Sequence, residues 1–246
     1  MTVELSDYAL MAGASYISTR HDVNKFPIPS NWAVITNPDS YARDPNTGFE
    51  AISFQRGNEI VISFAGTNPN DGILPPGPDN TANIGLASGV GSVQLLQAAE
   101  YYLQVKAANP NATITFTGHS LGGGLAALMG VFFGKQAVIF DQAPFANSAE
   151  LNLLTPNVAA NLKADLLAHG YSEAALQGLT DFLSIRAALP LGEIPNASLV
   201  TSINVQGEFL SGVPWNLPDR IGLIRTKHVC AEDLFTSTFD LERSAA

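Results

Sequence analysis

Thr113-Ile114-Thr115-Phe116-Thr117-Gly118-His119-Ser120-Leu121-Gly122-Gly123-Gly124 is the stretch that decides how this chain is read. Its first five residues are β-branched or aromatic and predict a buried strand. From Gly122 to Met129 the residues are small and predict a helix that lies close against a sheet. Between the two, Gly118-His119-Ser120-Leu121-Gly122 predicts a cramped strand-to-helix corner with a serine hydroxyl projecting above the sheet edge. The glycines omit Cβ atoms that would strike the neighbouring strand or helix. The helix that follows points its positive end at the same spot, where an oxyanion would form. A tight turn with an idle serine is the plainer alternative.

Moving outward, the helical period returns over 90–108, with Val93, Leu96, Tyr101, Leu103 and Val105 as candidate buried positions, and Asn109-Pro110-Asn111 stops it. The serine's helix runs to Phe133, and a strand is predicted over 137–140. Upstream, strands are expected over 32–36, 49–55 and 59–65, the last two joined at Arg56-Gly57-Asn58 as a hairpin. Leu5, Ala9, Met11, Ala12, Tyr16 and Ile17 form an opening amphipathic helix with Ser6 or Asp7 as its cap. The Pro/Gly-rich stretch 68–83 reads as a long loop, a kind usually functional or mobile.

Downstream, 149–189 is helical and apolar. Thr155-Pro156 is a start signal, His169-Gly170 an end, and Ser172 a second start. These helices read equally as sheet-covering crossovers or as a cap inserted over the site. Strands over 198–205 and 221–225 complete the pattern. Strands alternating with helices imply an α/β fold, a mainly parallel central sheet with helices on both faces. With no repeats and no linker, residues 1–246 are read as one domain, with 149–190 as its helical insertion.

Bulk properties narrow the function. A chain of 246 residues with 46% hydrophobic content can bury one full-sized core. A formal charge of −10 argues against nucleic acid and anionic membrane surfaces as partners. The single cysteine, Cys230, excludes an intrachain disulfide and a Cys-based metal cluster, and reads as a small buried hydrophobe. No metal spacing or phosphate loop is present, so neither metal nor cofactor is expected. The start Met1-Thr2-Val3-Glu4-Leu5-Ser6-Asp7 has no conventional export signal, and no stretch reaches membrane-spanning length. The chain is therefore read as soluble, either cytoplasmic or exported without such a signal. Its oligomeric state is not legible.

A serine hydroxyl needs a base, and histidine is the natural one. Of four histidines, His119 adjoins the serine and must point elsewhere on a sharp turn. His21 precedes the candidate catalytic strands, and His169 reads as a helix end. His228 follows the last strand and is the candidate base, since reactive groups gather at the carboxyl ends of parallel strands. For the acid that orients it, Glu208 (after Asn204-Val205-Gln206-Gly207) is preferred. Asp141 is the alternative, and Asp219, beside Arg220, reads more simply as an ion pair or turn. The oxyanion donors expected are the Leu121 N–H and Thr67, which follows the buried strand ending Ser63-Phe64-Ala65-Gly66.

The pair Ser63-Phe64-Ala65-Gly66-Thr67 and Gly118-His119-Ser120-Leu121-Gly122-Gly123, with Asp7-Tyr8-Ala9 in the opening helix, resembles the class 3 lipases of the α/β-hydrolase superfamily. The likeness covers most of the chain and is strongest over 59–145. It implies the α/β-hydrolase fold, a Ser–acid–His triad, a Ser or Thr oxyanion residue, and hydrolysis of lipid-like esters. The chain departs from that family at Ala65, usually arginine, and at Glu208, usually aspartate. It also has a Pro/Gly-rich loop in place of a helical lid, and a short interval between Glu208 and His228.

The reading is a serine carboxylic-ester hydrolase acting on acylglycerols, short esters, phospholipid acyl chains or polyesters. A lipid–water or polymer surface is a candidate partner. The segment from Leu151 to Leu189, with Trp215 and Leu74, reads as an acyl wall or as plain core. The alternatives are a catalytically silent module that keeps the fold, or an acyltransferase or phospholipase A using the same triad.

Overall fold

The computed structural model describes residues 3–17, 25–35, 41–66, 90–143, 146–149, 157–190, 192–205 and 223–227. Its strands are β1 (Ala33–Val34), β2 (Tyr41–Asp44), β3 (Phe49–Arg56), β4 (Glu59–Phe64), β5 (Thr113–His119), β6 (Ala137–Phe140), β7 (Val200–Val205) and β8 (Leu223–Lys227). Its helices are α1 (Leu5–Ala14), α2 (Val90–Ala108), α3 (Leu121–Phe133), α4 (Ala146–Ala149), α5 (Val158–Ala168) and α6 (Gln177–Ala188). The strands form one sheet in the order β1-β3-β4-β5-β6-β7-β8, with β2 also paired to β3. The β1, β2 and β4 strands run antiparallel to β3, whereas β4 through β8 are mutually parallel. The chain is thus α/β, with a mostly parallel central sheet.

Alternation along each strand divides the core in two. Ile60, Ile62 and Phe64 of β4, Ile114 and Phe116 of β5, and Ala137 and Ile139 of β6 join the large cluster with α2, α3, α5 and α6. The intervening Val61, Val138 and Phe140 join Tyr8, Met11, Trp32, Ile52 and Phe54 under α1. Strands laid down side by side in sequence order, with right-handed crossovers, bring their connecting helices to one face. Accordingly α2 and α3 cover that face, α5 packs on α2, and α6 packs on α3. This sandwiching explains why α3 is apolar all round and buried at every residue.

The face under α1 is wired by hydroxyls. Ser63 donates to the Met11 carbonyl at 3.1 Å and the Tyr8 hydroxyl donates to Thr115 Oγ1 at 3.1 Å, while the Thr117 hydroxyl donates to the Val138 carbonyl at 2.6 Å with its oxygen 3.4 Å from the Tyr8 carbonyl. These bonds hold α1 across β4 and β5. Burial raises the Tyr8 phenol above its ordinary pKa, which keeps its proton in place for that donation. Next to Tyr8 in the first turn of α1, Asp7 accepts from the Trp32 indole at 3.0 Å and lies 3.5 Å from Arg56 of the β3–β4 hairpin.

Several local expectations are corrected. The N-cap of α1 is Glu4, with neither Ser6 nor Asp7 capping; Asp7 stands in the first turn, committed to Trp32. The cap of α5 is Asn157, whose side chain accepts from the Ala160 N–H at 3.1 Å; Thr155 and Pro156 lie outside the described residues. Ser172 starts a turn that accepts from Ala175, and the helix proper begins at Gln177. Val93 is exposed, because Leu95, Ala98, Ala99 and Tyr102 carry the buried stripe of α2. The β2 strand was not anticipated, and β1 is shorter than expected.

Candidate active site

Ser120 joins β5 to α3 with φ 56° and ψ −125°, a backbone conformation costly for a residue with a side chain, about 1–3 kcal/mol. Three hydrogen bonds hold it there. Its N–H donates to the Phe140 carbonyl at 3.1 Å, and its carbonyl accepts from Gly124 N–H at 3.1 Å and Ala143 N–H at 2.9 Å. The corner is therefore clamped by β6 on one side and by the first turn of α3 on the other.

Close packing on either side requires glycine. A Cβ at Gly118 would overlap the Gly122 carbonyl, and one at Gly122 would overlap the Phe64 carbonyl oxygen of β4. The first turn of α3 consequently sits directly on the end of β4. The N–H groups of its opening residues, Leu121 among them, precede the first intrahelical bond and gather at the helix's positive end. Ser120 itself is half-buried. Such a corner can offer a hydroxyl to an electrophile beside backbone donors suited to an anion.

Two further segments reach the corner. Gly66, just past β4, packs so closely that an added Cβ would lie 3.0 Å from the His119 carbonyl and 3.3 Å from Ser120 Cβ. Asp141, just past β6, is buried and has φ 42°, and its N–H donates to the Ile203 carbonyl of β7 at 2.9 Å. Behind it, Gln142 Nε2 donates to Ser202 Oγ at 3.1 Å, and Ser202 donates on to Asn204 Oδ1 at 3.3 Å. This buried chain braces β6 against β7.

Of the residues singled out from the sequence, Ser120, Leu121 and Asp141 lie together at the carboxyl ends of β5 and β6. Thr67, Glu208 and His228 lie outside the described residues, as do His21, Asp219 and Cys230. His119 is exposed, with Nδ1 2.9 Å from the Tyr16 hydroxyl. His169 is the C-cap of α5 and meets Glu100 of α2 at 2.7 Å, within the helical layer. Sequence periodicity gave Tyr16 only an apolar place in the opening helix. The usable signal was a tyrosine just past a helix end, where an apolar body can carry a polar tip to a partner.

An α/β sheet with a strained serine at a strand-to-helix corner defines a class, the serine-hydrolase-like α/β proteins. Within it, the chain belongs to the Tle-like phospholipase domain family, whose model matches residues 8–214. It is similar to the extracellular phospholipase A1 of Serratia liquefaciens, 37% identical over 133 residues, which make up 53% of this chain and 39% of that protein. The chain therefore spans well under half the length of that curated relative. Among solved structures it is similar to the lipase from Rhizopus microsporus var. chinensis (TM-score 0.47, 14% identity, 94% of this chain and 81% of that one). It is also similar to lipase II from Rhizopus niveus (TM-score 0.44, 14% identity, 85% and 73%). Among the described residues, no helix is long and apolar enough to cross a membrane.

Proposed function

We propose that the chain is a serine carboxylic-ester hydrolase that cleaves the acyl esters of lipids, phospholipids foremost. The observation that carries this reading is the strained, triply clamped backbone of Ser120 at the mouth of α3. Strain of that kind persists only where surrounding structure enforces it, and it concentrates at functional sites. Family membership and the name of the Serratia relative support a phospholipid as the ester's carrier.

In this scheme Ser120 Oγ attacks the ester carbonyl carbon as His228 takes its proton. The tetrahedral oxyanion is met by the Leu121 N–H and by Thr67. The carbon–oxygen bond to the leaving alcohol then breaks, and His228 returns the proton to that alcohol. Water, deprotonated by the same imidazole, releases the fatty acid and restores the serine. Glu208 holds the imidazole's tautomer, with Asp141 as the alternative. What supports the assignment is the strand order. The β4, β5, β7 and β8 strands are parallel and end three, one, three and one residues ahead of Thr67, Ser120, Glu208 and His228 in sequence. The backbone of Asp141, turned to positive φ and bonded to β7, gives that residue a sufficient structural role of its own.

Labelling folded protein with a fluorophosphonate and locating the adduct by mass spectrometry tests the scheme. An adduct on Ser120 is expected; none would favour the silent module. Between the two acids, Glu208→Gln should lower kcat by about 10⁴-fold, the scale seen when a triad acid loses its charge. Asp141→Asn should cost less than about tenfold. The reverse ranking in steady-state assays of a phospholipid or p-nitrophenyl ester would move the role to Asp141.

A further inference from the structure

Tyr16 stands just beyond α1, and its backbone is fixed by the turn before it. Ser15, fully buried, donates its N–H to the Met11 carbonyl at 3.1 Å and its hydroxyl to the Ala12 carbonyl at 2.8 Å. From there the Tyr16 side chain crosses to the strand ends. Its hydroxyl is 2.9 Å from His119 Nδ1 and 3.4 Å from the His119 carbonyl, and the two rings are tilted 58° with centroids 6.2 Å apart. The same oxygen fills the space beside Gly66, where a Cβ would overlap it.

One oxygen thus touches the residue ahead of Ser120 and the residue ahead of Thr67. These are the two strand ends that, under the function proposed above, carry the nucleophile and one oxyanion donor. Acyl transfer depends on the distance between those two groups, and a misplacement of 1 Å costs on the order of 10²-fold in rate. The strands themselves pair from Glu59 and Thr113 as far as Phe64 and Gly118, so the segments beyond that last pair need another tie. We propose that Tyr16 is a positioning residue, whose hydroxyl locks the β5 corner to the end of β4 and so sets the spacing between Ser120 and its oxyanion donors. This role rests on the reading of Ser120 as the nucleophile. It also gives Gly66 a reason to be glycine.

Tyr16→Phe keeps the ring and deletes only the oxygen. In the full chain it should lower kcat by about 10- to 100-fold with KM unchanged within about twofold, since the loss falls on the transition state. The second-order rate of fluorophosphonate labelling at Ser120 should fall in parallel. The imidazole ¹⁵N shifts of His119 should change, because its Nδ1 partner is gone. Thermal unfolding should shift by no more than about 4 °C. Equal kcat and equal labelling rates in the two proteins would overturn the proposal. So would a loss of activity that merely follows the unfolded fraction. A wild-type protein that takes no label would instead defeat the Ser120 reading, and this role with it.

Discussion

Replacing Ser120 by alanine will abolish ester turnover, by roughly 10⁴-fold or more, while leaving the fold within about 1 kcal/mol of wild type. The second half of that expectation comes from the backbone. Alanine keeps the Cβ that makes φ 56° costly, so it removes the hydroxyl without easing the turn. Glycine at the same position removes both. Ser120→Gly should therefore be equally inactive yet about 1 kcal/mol more stable than Ser120→Ala, the strain released being partly offset by a looser unfolded chain. Initial rates and thermal unfolding of the two variants, measured side by side, check this. Retained turnover in either variant would remove Ser120 from the chemistry. A less stable glycine variant would mean that the corner is not strained.

The second large effect lies in the first turn of α3. In an ordinary helix, glycine to alanine gains about 1 kcal/mol. At Gly122 the sign should invert. An added Cβ would overlap the Phe64 carbonyl oxygen and stand 2.7 Å from the Ala65 carbonyl carbon, both of them backbone that cannot rotate away. The helix would have to lift from β4, opening a contact in the most buried layer of the protein. Gly122→Ala should cost about 3 kcal/mol, the upper end of what core overpacking typically costs, and depress Tm by on the order of 10 °C. Activity should fall too, because the Leu121 N–H moves with the helix. Calorimetry or thermal denaturation by circular dichroism decides the matter, and an unchanged or raised Tm would refute the close seating of α3 on the sheet.

The parts legible from sequence were those governed by local patterns. The bounds expected over 90–108 and 137–140 match α2 and β6, segments set off by Asn109-Pro110 and by Gly134. The β5 strand and α3 were readable because β-branched residues give way at one point to glycines. By contrast, Tyr41-Ala42-Arg43-Asp44 carries too much charge to read as a strand, and it is one only because β3 offers it an edge. Val93 fits the helical period as a candidate buried position, but the orientation of α2 is set by its packing on the sheet and on α5, which turns that side chain outward.

At the site, the corner and its glycines were readable for the same local reasons. Tyr16 was not. Its partner is 103 residues away, and no periodicity reports a contact of that span. Asp141 was weighed only as a catalytic acid, since nothing in Ile139-Phe140-Asp141-Gln142 announces a positive φ tied to β7.

The anchoring of α1 has a consequence for how the molecule is made. The sheet hydroxyls that hold this ten-residue helix belong to Ser63 and Thr115, which follow their partners by 52 and 107 residues. At translation rates of roughly 5–20 residues per second, α1 emerges from the ribosome seconds before the last of them exists. A helix so short is marginal on its own in water. Its hydroxyl bonds to the sheet must wait until β4 and β5 have been synthesised and paired. Tyr16 waits likewise, since its partner His119 follows it by 103 residues, so the tie between the ends of β4 and β5 is among the later contacts the chain can make.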